Sequence, residues 1–259
     1  MTSAASRRSL LWPTVGAAVA FAILCGLGTW QVQRLHWKEA LIARVEARLE
    51  APPVPAPGPD EWPTLDITDR EYQPVTVSGT FNELNEIYVV YTLTEPKGPK
   101  GGIGYMVMTP LTTADGWIVY VNRGFVPREN RYPNQRPGGS IAGETTVTGL
   151  LRAPHGHSWF VGDAVSDNSW FSRDPKLYAE AMGLPPAKVA PYIVDAVFDP
   201  DLPGGLPQGG ETVVSFPNNH LGYAITWYGL AAALVGVYGV FAWRRLKGTG
   251  GDGGDAPQA

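Results

Sequence analysis

LLWPTVGAAVAFAILCGLGTW, residues 10 to 30, and LGYAITWYGLAAALVGVYGVFAW, residues 221 to 243, decide how the rest of the chain is read. Neither stretch contains a charged residue. About 20 residues of helix, at 1.5 Å each, cross the ~30 Å hydrocarbon layer of a bilayer, so each reads as a transmembrane helix. Trp12 and Trp30 in the first, and Tyr223, Trp227 and Trp243 in the second, put aromatic rings near the ends, where headgroups favour them. Ser6-Arg7-Arg8-Ser9-Leu10-Leu11 has the look of a twin-arginine export signal. However, the apolar run is longer than a signal peptide's and ends in Gly28-Thr29-Trp30-Gln31, not in a small-x-small cleavage site, so it reads as a retained anchor.

The charges flanking the two spans disagree about orientation. Arg7 and Arg8 precede the first span, yet Arg34, Lys38, Arg44 and Arg48 follow it. Arg244, Arg245 and Lys247 follow the second, and residues 201 to 220 hold no Lys or Arg. Short tails obey the positive-inside rule while long translocated regions escape it, so the second span sets the topology. Both termini are then expected in the cytoplasm, with residues 31 to 220 periplasmic or its equivalent.

With 259 residues the chain has room for one sizeable domain besides its anchors. The single cysteine, Cys25, lies within the first span, which removes disulfides, covalent haem attachment and a paired-thiol copper or redox site. There is no Gly-x-Ser-x-Gly, P-loop, dinucleotide fingerprint or His-Glu-x-x-His, so no enzymatic reaction is suggested.

Between the spans the pattern changes twice. Residues 31 to 50 lack Gly and Pro and space Leu35, Ile42, Val45 and Leu49 helically, predicting a juxtamembrane helix that prolongs the first span. Residues 51 to 63 carry six prolines and read as a semi-rigid extended linker. From residue 64 to 216 alternation takes over, with strands expected at 72–81, 87–94, 104–111, 117–125, 145–151 and 192–198. Asp115-Gly116 marks a hairpin between the third and fourth. Asp174 and Pro175 open one short helix that Gly183 closes. The expected fold class is therefore membrane α+β, with two transmembrane helices flanking one extracytoplasmic antiparallel β-barrel or sandwich-like domain with a few helices. Residues 1 to 9 form a cytoplasmic N-terminus, 217 to 243 an interfacial lip and the second span, and 244 to 259 a disordered cytoplasmic tail.

Four histidines are the main candidate ligands. His155-Gly156-His157 offers too few ligands for a closed metal site and reads as a solvated turn. His36 lies on the juxtamembrane helix. His220 immediately precedes the second span, and in a helix starting there Ala224 and Trp227 share its face. An imidazole at the membrane lip, beside apolar surface, suits a haem iron. An interfacial histidine bonded to the aqueous domain is the competing reading. Gly222, Gly229 and Gly236 recur every seven residues, as a shallow groove or as a close contact between the two spans.

Five motifs in register resemble the surfeit-locus-1 family of cytochrome c oxidase assembly factors. They are Leu27-Gly28-Thr29-Trp30-Gln31-Val32-Gln33-Arg34-Leu35 with Trp37-Lys38; Ser78-Gly79-Thr80-Phe81; Gly104-Tyr105-Met106-Val107-Met108-Thr109-Pro110-Leu111; Val119-Tyr120-Val121-Asn122-Arg123-Gly124-Phe125-Val126-Pro127; and Pro217-Asn218-Asn219-His220-Leu221-Gly222-Tyr223-Ala224-Ile225-Thr226-Trp227-Tyr228. Phe125 stands where the family often has Trp, and Trp170-Phe171-Ser172-Arg173-Asp174 also departs from its pattern.

The resemblance implies a non-enzymatic factor that promotes formation of the haem a centre of oxidase subunit I. The family's haem-associated histidine maps onto His220. The expected cofactor is haem a, bound transiently and non-covalently, with His220 as axial ligand and Trp227 and Tyr223 covering the macrocycle. The expected partners are oxidase subunit I, haem a synthase and membrane lipid, with no nucleic acid. The alternative is a membrane scaffold that stabilises subunit I without touching haem, with Arg123 and Arg128 as docking residues.

Overall fold

The computed structural model describes residues 3–156, 162–212 and 217–248. Contacts divide the chain into two units: residues 1–44 with 215–259, which contain the paired long helices, and residues 45–214, which contain the strands.

The helical unit pairs two long helices. Helix α1, Ser3–Leu49, runs without a break through the apolar stretch and the residues after it. The partner in this unit is a C-terminal helix over His220–Gly248, and both are long and apolar enough to cross a membrane. Their apolar stretches are almost wholly exposed within the protein, as expected of surfaces solvated by lipid rather than by a core.

The second unit is a single sheet closed upon itself. Its strands are β1 (Val54–Pro55), β2 (Pro74–Phe81), β3 (Ile87–Leu93), β4 (Gly102–Thr112), β5 (Ile118–Pro127), β6 (Glu144–Arg152), β7 (Ser169–Trp170) and β8 (Val189–Ala196). They lie in the order β1-β2-β6-β8-β5-β4-β3-β7. A further pairing of Thr80 and Phe81 in β2 with Thr112 and Leu111 in β4 closes β2, β6, β8, β5 and β4 into a barrel-like ring. The six expected strands are all present, with ends shifted by three residues at most. The hairpin turns at Asp115-Gly116, where Gly116 takes φ +80°.

Most pairings are antiparallel, but β1–β2, β3–β7 and, in the middle of the order, β5–β8 run parallel, so the sheet is mixed. A parallel pair needs a long crossover, and residues 128–188, carrying helix α2 (Pro175–Ala181), supply it. As its sequence suggests, α2 starts with Asp174 accepting the amide of Lys176 and Pro175 in the first turn.

β5 is buried on both faces. Ile118 and Tyr120 join Ile87, Met108, Trp170 and Tyr178 in one core, while Val119 and Val121 join Val75, Leu111, Tyr192 and Val194 in another. This explains its nearly continuous apolar run.

The proline-rich segment expected as a linker is instead docked on the sheet. Ala56 donates to Thr76, Pro57 O accepts from both Trp62 and Tyr192, and Trp62 meets Trp117 edge to face at 5.8 Å. Proline stiffness and the half-buried Trp62 hold it there without a full ladder of hydrogen bonds.

Candidate functional site

Helix α3, His220–Gly248, begins at the residue singled out in the sequence. Asn218 accepts the His220 amide at 3.4 Å and Asn219 O accepts that of Tyr223, so polar residues satisfy the first turn and start the helix. At 3.6 residues per turn, His220, Ala224, Trp227, Ala231, Leu234 and Tyr238 fall on one stripe. Ala224 and Ala231 are 2% and 3% exposed, and the other four are half-buried, so this stripe faces α1.

The two helices run antiparallel along a polar seam. Thr14 bonds Tyr238, Thr29 bonds the Tyr228 hydroxyl at 3.0 Å, and Gln31 Oε1 lies 2.7 Å from His220 Nδ1. Gly28 allows the close approach, because a Cβ there would fall 2.9 Å from the Tyr228 ring.

The candidate ligand residues are only partly brought together. His220 and Trp227 share the seam-facing stripe, two turns apart. Tyr223 lies about 60° round from His220 and is 56% exposed. The surface beside His220 is thus the edge of a helix pair and not a bare helix face. His220 bonds to Gln31 of α1, where the competing reading had a partner in the aqueous domain.

The heptad of glycines does not make the helix contact. Gly222, Gly229 and Gly236 lie roughly 160–200° from His220, and a Cβ on any of them would meet nothing within 4 Å. They leave a groove on the face turned away from α1. The small residue that admits the partner helix is Gly28.

Arg123 is corrected as a docking candidate. A bulge in β5 opposite Val107 and Met108 sets Arg123 outside the regular register, and only 5% of it is exposed. Its guanidinium reaches Glu83 at 3.0 Å, Glu86 at 3.7 Å and Gly139 O, and lies over the Phe81 ring. Arg136 also pairs with Glu86, which accepts from Tyr88 and Thr109. Burial pushes the Glu86 carboxyl up, against the opposing pull of Arg136. This cluster ties the bulge to neighbouring loops. Arg128, at the strand end, is exposed. An Arg inside an apolar strand was the available signal of a buried partner, whereas nothing near Glu86 marks it.

The other histidines stand apart. His155 is exposed, with its backbone bridged to Arg173; His36 is exposed; and His157 lies outside the described residues. No group of three or more His, Cys, Asp or Glu residues capable of holding a metal ion occurs among the described residues.

Paired apolar helices and a barrel-like sheet define a membrane-anchored β protein, with a histidine at the head of its second helix. The model of the SURF1 family matches residues 18–232. Surfeit locus protein 1 of Homo sapiens is 40% identical over 220 residues, covering 80% of this chain and 70% of the relative. That of Mus musculus is 37% identical, and a SURF1-like protein of Monosiga brevicollis is 34% identical over 98% of this chain and 95% of its own. The chain belongs to the SURF1 family, whose members are known as assembly factors of cytochrome c oxidase.

Proposed function

We propose that this chain carries haem a from its synthase to subunit I of the oxidase, with His220 as its one axial ligand. What supports the reading is the position of His220: half-buried at the first turn of α3, with Nδ1 engaged by α1 and Nε2 without a hydrogen-bond partner among the described residues. A neutral imidazole with one nitrogen committed and the other available is the donor that haem iron takes. Trp227, half-buried farther along the stripe, and the exposed Tyr223 on its flank offer aromatic surface to the macrocycle. A single protein ligand permits later exchange for the oxidase's own histidines.

The chain lies in the bacterial inner membrane in this reading, with both termini cytoplasmic and the β unit periplasmic. Lys247 over Trp243 at 4.4 Å and Arg245 over Phe241 at 5.6 Å give the end of α3 the interfacial cations and rings expected of a cytoplasmic boundary.

The test is to purify the full-length protein from cells that make haem a and record spectra of the wild type and His220→Ala. A Soret band in the wild type that is lost in the variant supports the carrier. A haem-free wild type that still promotes oxidase assembly would favour the scaffold.

A further inference from the structure

The bond between Gln31 and His220 joins residues 189 positions apart and ties the head of α3 to α1. Gln31 is only 8% exposed, so its carboxamide is held within the seam. Its Oε1 can only accept, so the proton of this 2.7 Å contact belongs to Nδ1, and a neutral ring held this way is the Nδ1–H tautomer. The other ring nitrogen, Nε2, then carries the lone pair. Resting on the haem reading above, we infer that Gln31 is the positioning residue of the site: it fixes His220 as the Nδ1–H tautomer, orients the ring and presents Nε2 as the base that meets iron.

Plain helix pairing does not call for this arrangement. Thr29–Tyr228 and Thr14–Tyr238 already bond across the seam through hydroxyls that both give and accept. The Gln31 contact differs in being one-directional, and it acts on the imidazole that the haem reading assigns to iron. A metal-binding histidine is ordinarily oriented in this way, its second nitrogen donating to a carbonyl or carboxylate oxygen that also raises the ring's basicity.

The experiment uses the full-length protein in lipid nanodiscs, as wild type, Gln31→Leu, Gln31→Glu and His220→Ala. Haem-free samples labelled with ¹⁵N-histidine report the tautomer of His220 above its titration, with the His220→Ala spectrum assigning the signal. Hemin titration then reports affinity above the His220→Ala baseline. Expected are the Nδ1–H form in the wild type and its conversion toward Nε2–H in Gln31→Leu. Hemin affinity should fall about tenfold or more in Gln31→Leu and stay within about threefold in Gln31→Glu, which keeps an acceptor oxygen. An unprotonated Nδ1 in the wild type, or an unchanged tautomer in Gln31→Leu, overturns the positioning role whether or not hemin binds. A tautomer that switches with no change in hemin affinity overturns it as well. A wild type that binds no better than His220→Ala removes the haem reading itself, and the iron-directed role with it, while leaving the measured tautomer intact.

Discussion

Replacing Asp195 by Asn should destabilise the β unit by about 3–4 kcal/mol at neutral pH, within the range for removing one partner from a buried ion pair. Asp195 is 2% exposed in β8. Its carboxylate accepts from Arg173 at 2.6 Å, Asn122 at 2.9 Å, Thr212 at 3.0 Å and Arg152 at 3.2 Å. An amide of the same shape loses the charge and turns an NH₂ toward groups that themselves donate. Arg152 keeps Glu71 at 3.2 Å, which holds the cost below the upper end of the range. Arg173 loses its 2.6 Å carboxylate, and its Nε has no hydrogen-bond partner among the described residues.

Unfolding of the full chain in mild detergent, followed by tryptophan fluorescence, should register a fall in Tm of about 10 °C for a domain of this size. The buried Trp170 makes fluorescence a suitable probe. Burial pushes the Asp195 carboxyl up, but Arg173 and Arg152 outweigh it and hold the group below the ordinary aspartate range. The stabilisation is therefore whole above the unfolded pKa of about 3.9 and is lost as the pH falls toward the lower folded value. The gap between wild type and variant should close on acidification through that window. A variant within about 1 kcal/mol of wild type at pH 7, or a gap that widens in acid, would refute the account of this cluster.

Three other outcomes are expected. Gly124→Ala should cost about 3 kcal/mol or more, because φ is +125° and the new Cβ would run into the Gln208 backbone; a urea midpoint equal to that of wild type would contradict this. Gly28→Val should lower the thermal stability of the helix pair by about 1–3 kcal/mol through overpacking on Tyr228, while Gly229→Val should not; equal effects would mean that the seam is misassigned. A reporter active only outside the cytoplasm should work when fused after Gly210 and fail after Gly248; the reverse pattern would invert the topology.

The two apolar stretches and the run of strands between them were legible because their causes are local. Twenty uncharged residues meet the cost of crossing hydrocarbon on their own, and alternation marks a strand whatever it pairs with. Asp174, Pro175 and Asp115-Gly116 likewise act over a few residues. The resemblance in five motifs pointed to the family and to His220, but not to what surrounds that histidine.

Only the tertiary structure decided the rest, because those features depend on residues distant in the chain. The parallel β5–β8 pair follows from a long crossover, and the burial of Arg123 follows from a bulge and from Glu83 and Glu86 about 40 residues earlier. The outward-facing glycines and the role of Gly28 depend on how α3 is rotated against α1, which a seven-residue period leaves open. Gln31 follows an apolar run and looks like any polar boundary residue. It gains a partner only when two helices separated by the whole β unit pack together and bring Oε1 to His220.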